Sequence, residues 1–280
     1  MRLRMLSRRL DGYGATIPAA ARVEDVPDTT TEEYAHDQLQ ISVRVTREFL
    51  EPIARRMGSR TLLDVGCGVG KSVVTLAEDG FEAYGVDLPG LTRHWAALNL
   101  PRDRFFVVHP EDFELPFEDE SLDLAFSFGV LEHVGTRDGH ATRAPDYHAV
   151  RRRWLREVFR VVKPGGCLLM GGPNRNCPLD FSHGLDAGAS AAERWLSRRV
   201  GRSVHRPWGE YFLWGYSDFK RYLEGLEFEL EPLSIRGLLQ FGRVPRRMRG
   251  LARLYVEHLP RPLLGTGCNP WVMALIRKGR

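Results

Sequence analysis

LLDVGCGVG, residues 62–70, is the stretch that decides the fold. Its apolar first half predicts a short buried strand, and its three alternating glycines predict a tight turn into a helix that starts near Lys71. Glycine adopts positive φ at no steric cost and lets the backbone approach a ligand closely. The amides and the dipole at the start of the following helix favour a negatively charged group. The stretch therefore predicts a strand, turn and helix that together bind an anionic part of a ligand.

Short apolar strands alternate with helices on both sides of this unit. Helices are predicted within KSVVTLAEDG (71–80) and WLREVFRVV (154–162). Strands are predicted at 82–88, 105–110, 122–130 and 167–173. Strands separated in this way by helices indicate a parallel sheet with right-handed crossovers, and therefore an α/β fold.

The length and composition indicate one decorated domain. The chain has 280 residues, of which 43% are hydrophobic and 27% charged, a profile typical of packed globular proteins. Residues 1–30 lack sustained periodicity and predict a flexible arm, and residues 31–280 are expected to form the domain. One or two amphipathic helices are expected before the first strand, and insertions are expected at about 174–216 and 233–270.

The cysteines and the apolar runs restrict the cellular context. The four cysteines are dispersed without C-x-x-C or Cys/His spacing, which argues against a zinc knuckle and against a disulfide framework. No stretch reaches the roughly 18 uncharged apolar residues that a spanning helix needs, and arginines interrupt the N-terminal apolar run. A reducing cytoplasm is the expected location.

Asp87 adds a second indication of which ligand the glycine turn binds. It ends the second predicted strand 23 residues after Asp64, where a carboxylate can accept hydrogen bonds from ribose hydroxyls. A dinucleotide fingerprint would require Gly at position 71, which is Lys71. A P-loop would require Gly at position 65, which is Val65, and an acid after LDLAFSF to bind magnesium. Both of these nucleotide interpretations are disfavoured.

Four segments in order resemble the successive motifs of class I S-adenosylmethionine-dependent methyltransferases. They are DVGCGVG, VDLPG, EDFELPFEDESLDLAFSFGVLEHV and REVFRVVKPGGCLLMGGPN, within roughly residues 60–175. The resemblance implies a Rossmann-like, doubly wound sheet of seven strands with the last strand antiparallel. The late segments FELEPLSI and NPWVMALIRK would supply its final pair of strands.

The resemblance also implies S-adenosylmethionine as cofactor and a set of contacts to it. Asp64 and the backbone of Gly66, Cys67, Gly68 and Gly70 would face its methionine part. Its ribose would bind Asp87, and its adenine would lie among Leu88, Phe113 and either Glu111 or Asp112. Ser127 and Phe128 would end the fourth strand at the sulfonium. The choice between the two acids stays open, because the family's usual Gly-Asp pair reads Pro110-Glu111 here.

Two histidines are the catalytic candidates. Methyl transfer is an in-line displacement at an activated carbon, so it requires alignment and, for a hydroxyl acceptor, a group that removes the proton. His133 follows the fourth strand in GVLEHV, and His183 follows the fifth strand together with Asp180. No metal site is expected, because Glu132 lacks a clear second acid beside it and therefore favours a structural role.

The acceptor is indicated only by analogy and charge. The segment GGPNRNCPLDFSHG resembles a P-N-x-x-x-P-x-D-x-x-H pattern found in methyltransferases that act on sugars, surface glycans or lipid-linked intermediates. This resemblance favours O-methylation of a small-molecule, sugar or lipid-linked acceptor. The arginine-rich segment 244–264 is typical of a peripheral contact with a membrane surface. The alternatives are a nucleic-acid methyltransferase, disfavoured because no RNA-binding signature is present, and a non-catalytic cofactor-binding protein of the same fold.

Overall fold

The computed structural model describes residues 39, 41–88, 92–95, 98, 102–109, 113–137, 142–181, 183–239, 241 and 244–280. The arm predicted at 1–30 lies outside these residues, as do Glu111 and Asp112. The chain separates into two compact units. The first comprises the described residues up to Ser127, Glu157–Leu168 and Arg280, and the second comprises Phe128–Arg156 and Leu169–Gly279. The expected single domain over 31–280 stays a prediction.

Within the described residues, nine strands form two sheets. The strands are β1 (Thr61–Val65), β2 (Glu82–Asp87), β3 (Phe105–Val107), β4 (Leu122–Phe128), β5 (Val162–Pro173), β6 (Leu179–Asp180), β7 (Ser203–Val204), β8 (Phe228–Pro232) and β9 (Trp271–Lys278). Seven of them form one sheet in the order β3-β2-β1-β4-β5-β9-β8, and β6 pairs with β7. β1 is parallel to both β2 and β4, whereas β8 and β9 are antiparallel. The predicted Rossmann-like sheet of seven strands, closed by an antiparallel strand, is confirmed.

Helices connect these strands. They are α1 (Glu51–Arg56), which follows a π-helical turn at Thr46–Leu50, α2 (Lys71–Glu78), α3 (Thr92–Trp95), α4 (Tyr147–Val161), α5 (Ala191–Val200), α6 (Tyr216–Tyr222) and α7 (Arg249–Glu257). Short 3-10 turns lie at Arg102–Arg104, Arg246–Met248 and Arg261–Leu263. Within the described part of the chain, no helix has both the length and the apolar character needed to cross a bilayer.

α4 begins seven residues before the predicted helix WLREVFRVV. The three consecutive arginines at 151–153 interrupt the apolar periodicity, so the sequence pattern hides the first half of the helix. Arg151 is nevertheless buried, at 1% exposed, because its guanidinium donates to the backbone carbonyls of Glu132, Val134 and Phe212. Burial lowers the pKa of this guanidinium from its ordinary value. A buried arginine of this kind cannot be distinguished from a surface arginine by periodicity alone.

The central strand of the first unit buries one carboxylic acid among its apolar side chains. Leu62, Leu63 and Val65 of β1 are almost fully buried, and so is Asp64. The Ser72 hydroxyl at the start of α2 donates a hydrogen bond to Asp64. Loss of solvation raises the pKa of Asp64 to about 7, although the bond from Ser72 opposes this shift.

Asp64→Asn should change how the stability of the protein depends on pH. The folded-state pKa of about 7 exceeds the ordinary value of 3.8, so the native protein holds a proton that the unfolded chain releases between these values. The free energy of unfolding therefore falls as pH rises towards 7, by about 1.4 kcal/mol per pH unit from this group. Urea unfolding at acidic and mildly alkaline pH should show that Asp64→Asn removes this component.

The exposed Asp103→Asn is the matched control, since it also removes one carboxylate of the first unit but leaves the buried acid in place. If Asp64→Asn and the unsubstituted protein lose stability in parallel between about pH 5 and pH 8, Asp64 does not carry the proton.

Candidate functional site

The turn between β1 and α2 needs glycine at three alternate positions. Gly66, Gly68 and Gly70 have φ values of 86°, 55° and 76°, in the left-handed region that L side chains rarely adopt. Gly70 is the N-cap of α2 and makes no side-chain capping bond, so no side chain competes for the first-turn amides of this eight-residue helix. These amides and the helix dipole favour an anionic group, as the sequence predicted.

The turn is held against the end of β2. The amides of Gly66 and Cys67 both donate to the Val86 carbonyl oxygen, at 2.8 and 3.1 Å. A Cβ atom at Gly85 would lie 2.8 Å from Cys67 Sγ and 2.9 Å from Val73 Cγ2, so only glycine allows this close approach. Burial raises the pKa of the Cys67 thiol well above its ordinary value, so this side chain packs as a neutral group.

Asp87 joins the end of β2 to the glycine turn. Its Oδ2 accepts the Gly68 amide at 2.5 Å, and its Oδ1 accepts the Leu88 amide at 2.6 Å. The Trp95 indole also binds the turn, because its Nε1 donates to the Gly68 carbonyl at 2.9 Å. Burial raises the pKa of Asp87 even though both amide bonds favour the charged form. Each carboxylate oxygen still has a lone pair for a further donor, so the pair can accept ribose hydroxyls.

The other residues predicted to contact the cofactor differ in burial and in position. Ser127 is buried at the end of β4, where its hydroxyl donates to the Val65 carbonyl at 2.7 Å. Phe113 is also buried, and Leu88 is 36% exposed directly after Asp87. Phe128, the last residue of β4, belongs to the second unit and is partly exposed. Their contacts with a cofactor stay predictions, as do those of Glu111 and Asp112, which lie outside the described residues.

The two catalytic candidates come together in the second unit. The ring centroids of His133 and His183 are 5.7 Å apart. Ligand atoms of both histidines and of Glu132 all lie within 4.8 Å of one another. Glu132 is completely buried, whereas His133 is exposed and His183 is partly exposed. We call these three residues the Glu-His-His cluster.

Asp180 orients His183. Its Oδ2 lies 3.2 Å from His183 Nδ1 and also accepts the His183 amide at 3.1 Å. Because a carboxylate can only accept, Nδ1 carries a proton and a neutral His183 presents a lone pair at Nε2. The Ser203 hydroxyl donates to the His183 carbonyl at 2.6 Å, and the antiparallel pairing of Asp180 with Ser203 sets this geometry.

Trp214 and Arg151 both contact Glu132, and no pattern in the sequence assigns either of them to a site. Trp214 is fully buried, and its Nε1 donates to Glu132 Oε2 at 3.2 Å. Arg151 donates to the Glu132 carbonyl at 3.2 Å and to the Val134 carbonyl at 2.9 Å, which fixes the loop after β4. The second oxygen, Glu132 Oε1, is buried and has no hydrogen-bond partner. An aromatic residue of the core thus also acts as a polar partner, which residue type alone does not reveal.

His183 also lines a basic cavity of about 730 Å³ in the second unit. Arg194 and Arg198 of α5 and Arg202 just after it contribute to the wall, and Asp180 is the one carboxylate among its described lining residues. Three guanidinium groups against one carboxylate favour an anionic group in this cavity, since arginine binds phosphates and carboxylates with paired N–H donors.

The aromatic stretch 205–216 is mainly part of the core. His205 is buried and stacks on Tyr211, and its Nε2 lies 2.9 Å from the Arg175 carbonyl oxygen. The Tyr211 hydroxyl accepts the Asp186 amide at 2.9 Å, and the Tyr216 hydroxyl accepts the Met273 amide at 3.1 Å. These contacts give His205, Tyr211 and Tyr216 a structural role, whereas Trp214 of the same stretch contacts Glu132 of the Glu-His-His cluster.

Comparison with known proteins identifies the segment that contains the glycine turn. Residues 63–170 match a family described as "Methyltransferase domain". A probable S-adenosylmethionine-dependent methyltransferase of Mycolicibacterium smegmatis is 30% identical over 134 residues, which cover 48% of this chain and 45% of that protein. An uncharacterized methyltransferase of a Mycobacterium species is 33% identical over 159 residues, 55% of each chain. The chain thus spans about half the length of the curated relatives it matches.

A solved structure shares the fold. The TehB-like SAM-dependent methyltransferase of Corynebacterium glutamicum superposes with a TM-score of 0.50 at 17% identity, over 90% of this chain and 100% of that chain. The sheet order, the glycine turn, the acid that ends β2 and the family match agree with one another. Residues 63–170 are thus similar to the methyltransferase domain of S-adenosylmethionine-dependent enzymes, and the sheet order is consistent with that match.

Proposed function

We propose that this chain transfers a methyl group from S-adenosylmethionine to a hydroxyl of a small-molecule, sugar or lipid-linked acceptor that also carries an anionic group. The observation that carries this proposal is the position of His183, which belongs both to the Glu-His-His cluster and to the wall of the basic cavity. One side chain thus connects a group suited to proton removal with a place suited to a phosphate or carboxylate.

The residues of the first unit fit S-adenosylmethionine. The amides at the start of α2 have no side-chain cap and suit the cofactor's carboxylate, and the Asp87 oxygens suit its ribose hydroxyls. When bound, the cofactor supplies a methyl group on a positively charged sulfonium, which needs no covalent help from the protein. The protein has to align the acceptor, exclude water and remove the acceptor's proton.

The chain's own residues account for this proton removal in the second unit. Asp180 holds His183 with its Nδ1 protonated, so Nε2 can receive a proton, and Glu132 Oε1 presents a second acceptor 3.9 Å from it. Two neighbouring acceptors favour a hydroxyl, whose proton must leave before or during transfer. The methyl ether forms as the C–S bond breaks, and the proton passes through the cluster to solvent.

Asp87→Ala should weaken the binding of S-adenosylmethionine about 5- to 150-fold, because a charge-assisted hydrogen bond contributes about 1 to 3 kcal/mol. Calorimetric titration of the purified chain measures this change.

Asp103→Ala, an exposed acid of the same unit, is the matched control and should bind the cofactor normally. Because Asp87 also accepts the Gly68 and Leu88 amides, the unfolding midpoint of each variant is compared first. Unchanged cofactor affinity in a folded Asp87→Ala variant would remove the ribose assignment, and preferential binding of NAD or ATP would remove the proposed cofactor.

Arg198→Gln and His183→Ala should affect different kinetic constants. Arg198→Gln removes one charge-assisted contact in the cavity and should raise KM for a phosphorylated acceptor about 10- to 100-fold. His183→Ala should instead mainly lower kcat and leave the affinity for S-adenosylmethionine unchanged. The assay follows release of S-adenosylhomocysteine with hydroxylated acceptors offered in pairs, each with and without a phosphate.

Arg199→Gln is the matched control for the cavity, because Arg199 lies on the same helix, contacts the Trp195 ring and is not among the cavity residues. Equal effects of Arg198→Gln and Arg199→Gln would contradict anion binding in the cavity. If paired acceptors react equally well with and without phosphate, the proposed acceptor class is wrong.

We also propose that the segment 244–264 contacts an anionic membrane surface. Met248, Leu251, Leu254 and Tyr255 are all about half exposed or more, at three- and four-residue spacings that place them on one side of α7, and Val256 is buried. The exposed Arg246 and Arg247 precede this apolar side. Exposed apolar side chains bordered by arginines suit the boundary between acyl chains and anionic headgroups.

Replacing Leu251 and Leu254 with Gln should reduce binding to every vesicle tested, since it removes the inserted apolar surface. Arg246→Gln with Arg247→Gln should reduce binding to phosphatidylglycerol vesicles roughly 10- to 30-fold, at about 1 kcal/mol per charge, and should hardly affect phosphatidylcholine. Co-sedimentation with vesicles measures both. Leu226→Gln changes an exposed leucine outside the segment and is the control. Absence of vesicle binding by the unsubstituted protein would contradict this proposal.

A further inference from the structure

One carboxylate oxygen of Glu132 is buried without a hydrogen bond that would replace its lost contact with water. The side chain is 0% exposed, and Oε2 accepts the Trp214 indole N–H, but Oε1 has no hydrogen-bond partner. A buried carboxylate oxygen without a donor is costly, because the water that would solvate it has been removed. Such an atom in a native structure calls for a proton donor or a cation.

Two histidines lie beside this oxygen. His183 Nε2 lies 3.9 Å from Glu132 Oε1 and presents a lone pair, because Asp180 accepts from Nδ1. His133 places a third ligand atom within 4.8 Å of the other two. A Cβ atom at Gly129 would lie 3.7 Å from Oε1, so a larger side chain there would partly cover this oxygen. Ligand atoms of three side chains therefore lie close together, beside a backbone position that carries no side chain.

We propose that the Glu-His-His cluster binds a divalent metal ion, with Zn²⁺ as the best match. Two histidines and one glutamate, with a fourth position open, are a ligand set that zinc enzymes use. Tetrahedral zinc with bonds of about 2.0 to 2.1 Å places its donor atoms about 3.4 Å apart, so the 3.9 Å separation of Nε2 and Oε1 closes by about 0.5 Å. The exposed ring of His133 can adjust to complete the site.

The surroundings of the cluster resemble the outer shell of a metal site. Histidines that bind metals usually donate their second ring nitrogen to a carboxylate or carbonyl, which fixes the tautomer and increases the basicity of the ligand. Asp180 makes this contact with His183, and Trp214 makes the corresponding contact with the bound oxygen of Glu132. Arg151 fixes the backbone of the loop that carries Glu132 and His133.

The metal site deepens the proposed function and, for its catalytic role, rests on it. With the ion bound, His183 Nε2 is a ligand, and the ion takes over from this nitrogen the task of promoting loss of the hydroxyl proton. An ion with an open position would bind the acceptor hydroxyl oxygen and polarise its O–H bond, so that the proton leaves to solvent near neutral pH. That oxygen would then attack the methyl carbon, so that the C–O bond forms as the C–S bond breaks and S-adenosylhomocysteine leaves as a neutral thioether. No oxidant or reductant is required.

Zinc titration of the purified full chain, without S-adenosylmethionine or acceptor, tests the site directly. We expect one Zn²⁺ per chain by calorimetry, and binding of Co²⁺ with the visible absorption of a low-coordinate site. His133→Ala, His183→Ala and Glu132→Gln should each weaken zinc binding at least 100-fold, and Asp180→Asn should weaken it about 10- to 100-fold through the lost orienting bond. His258→Ala replaces an exposed histidine at the end of α7 and should bind zinc normally.

Glu132→Gln separates loss of metal from loss of fold. Its amide can accept from Trp214 and donate to His183 Nε2, so the variant keeps the core contacts while removing the charge. We expect zinc to raise the melting temperature of the unsubstituted protein but not that of Glu132→Gln. Absence of zinc binding by the unsubstituted protein, or equal binding by the cluster variants and His258→Ala, would overturn the metal site.

Turnover after chelation separates this inference from the proposed function. We expect chelation to lower kcat by at least tenfold, with recovery on adding Zn²⁺ and no change in affinity for S-adenosylmethionine. Full turnover in chelator would overturn the metal's catalytic role and leave the histidines as direct proton acceptors. Absence of methyl transfer with every acceptor tested, together with normal zinc binding, would instead count against the proposed function and support the site.

Discussion

The geometry of the glycine turn in the first unit depends on the backbone carbonyl of Val86. Two consecutive amides of the glycine turn, those of Gly66 and Cys67, donate to this one oxygen at the end of β2. The contact places the Gly68 amide on Asp87 and the start of α2 behind the turn. It is available only because Gly85 lacks a side chain, since a Cβ atom there would overlap Cys67 and Val73. A single close approach of backbone to backbone thus sets the positions of both the helix amides and Asp87.

Polar burial is the corresponding constraint in the second unit. Arg151, Glu132 and Asp180 are all at least nine-tenths buried, and each makes hydrogen bonds with specific protein groups. Polar groups in the interior are costly unless they are paired, so a structure that retains several of them has uses for their chemistry or their geometry. Arg151 supplies geometry, because it binds three backbone carbonyls around the loop after β4. Glu132 differs from Arg151 because one of its carboxylate oxygens is buried without a hydrogen-bond partner.

The two compact units offer chemically different groups to a ligand. The first unit offers amides and a carboxylate, which suit the charged and hydroxylated parts of S-adenosylmethionine. The second unit offers imidazoles, carboxylates and a basic cavity, which suit an acceptor with a hydroxyl and a negative charge. The chain passes from one set to the other within five residues, from Ser127 at the end of β4 to Glu132. This arrangement agrees with the general tendency of α/β sheets to place functional residues after the carboxyl ends of their strands.

The sequence by itself determined the fold class, the glycine turn and the acid that ends β2, because these depend on local periodicity and on backbone freedom at particular glycines. It also proposed His133 and His183, each by itself, as catalytic candidates, from their places after β4 and β5. Tertiary structure decided what residue type conceals: that Arg151 is interior, that the Trp214 indole donates to Glu132, and that one oxygen of Glu132 has no donor. The β6–β7 pair, only two residues per strand, aligns Asp180 with Ser203 and was equally absent from the sequence pattern. Such features depend on contacts between residues 17 to 82 positions apart, which no local pattern encodes.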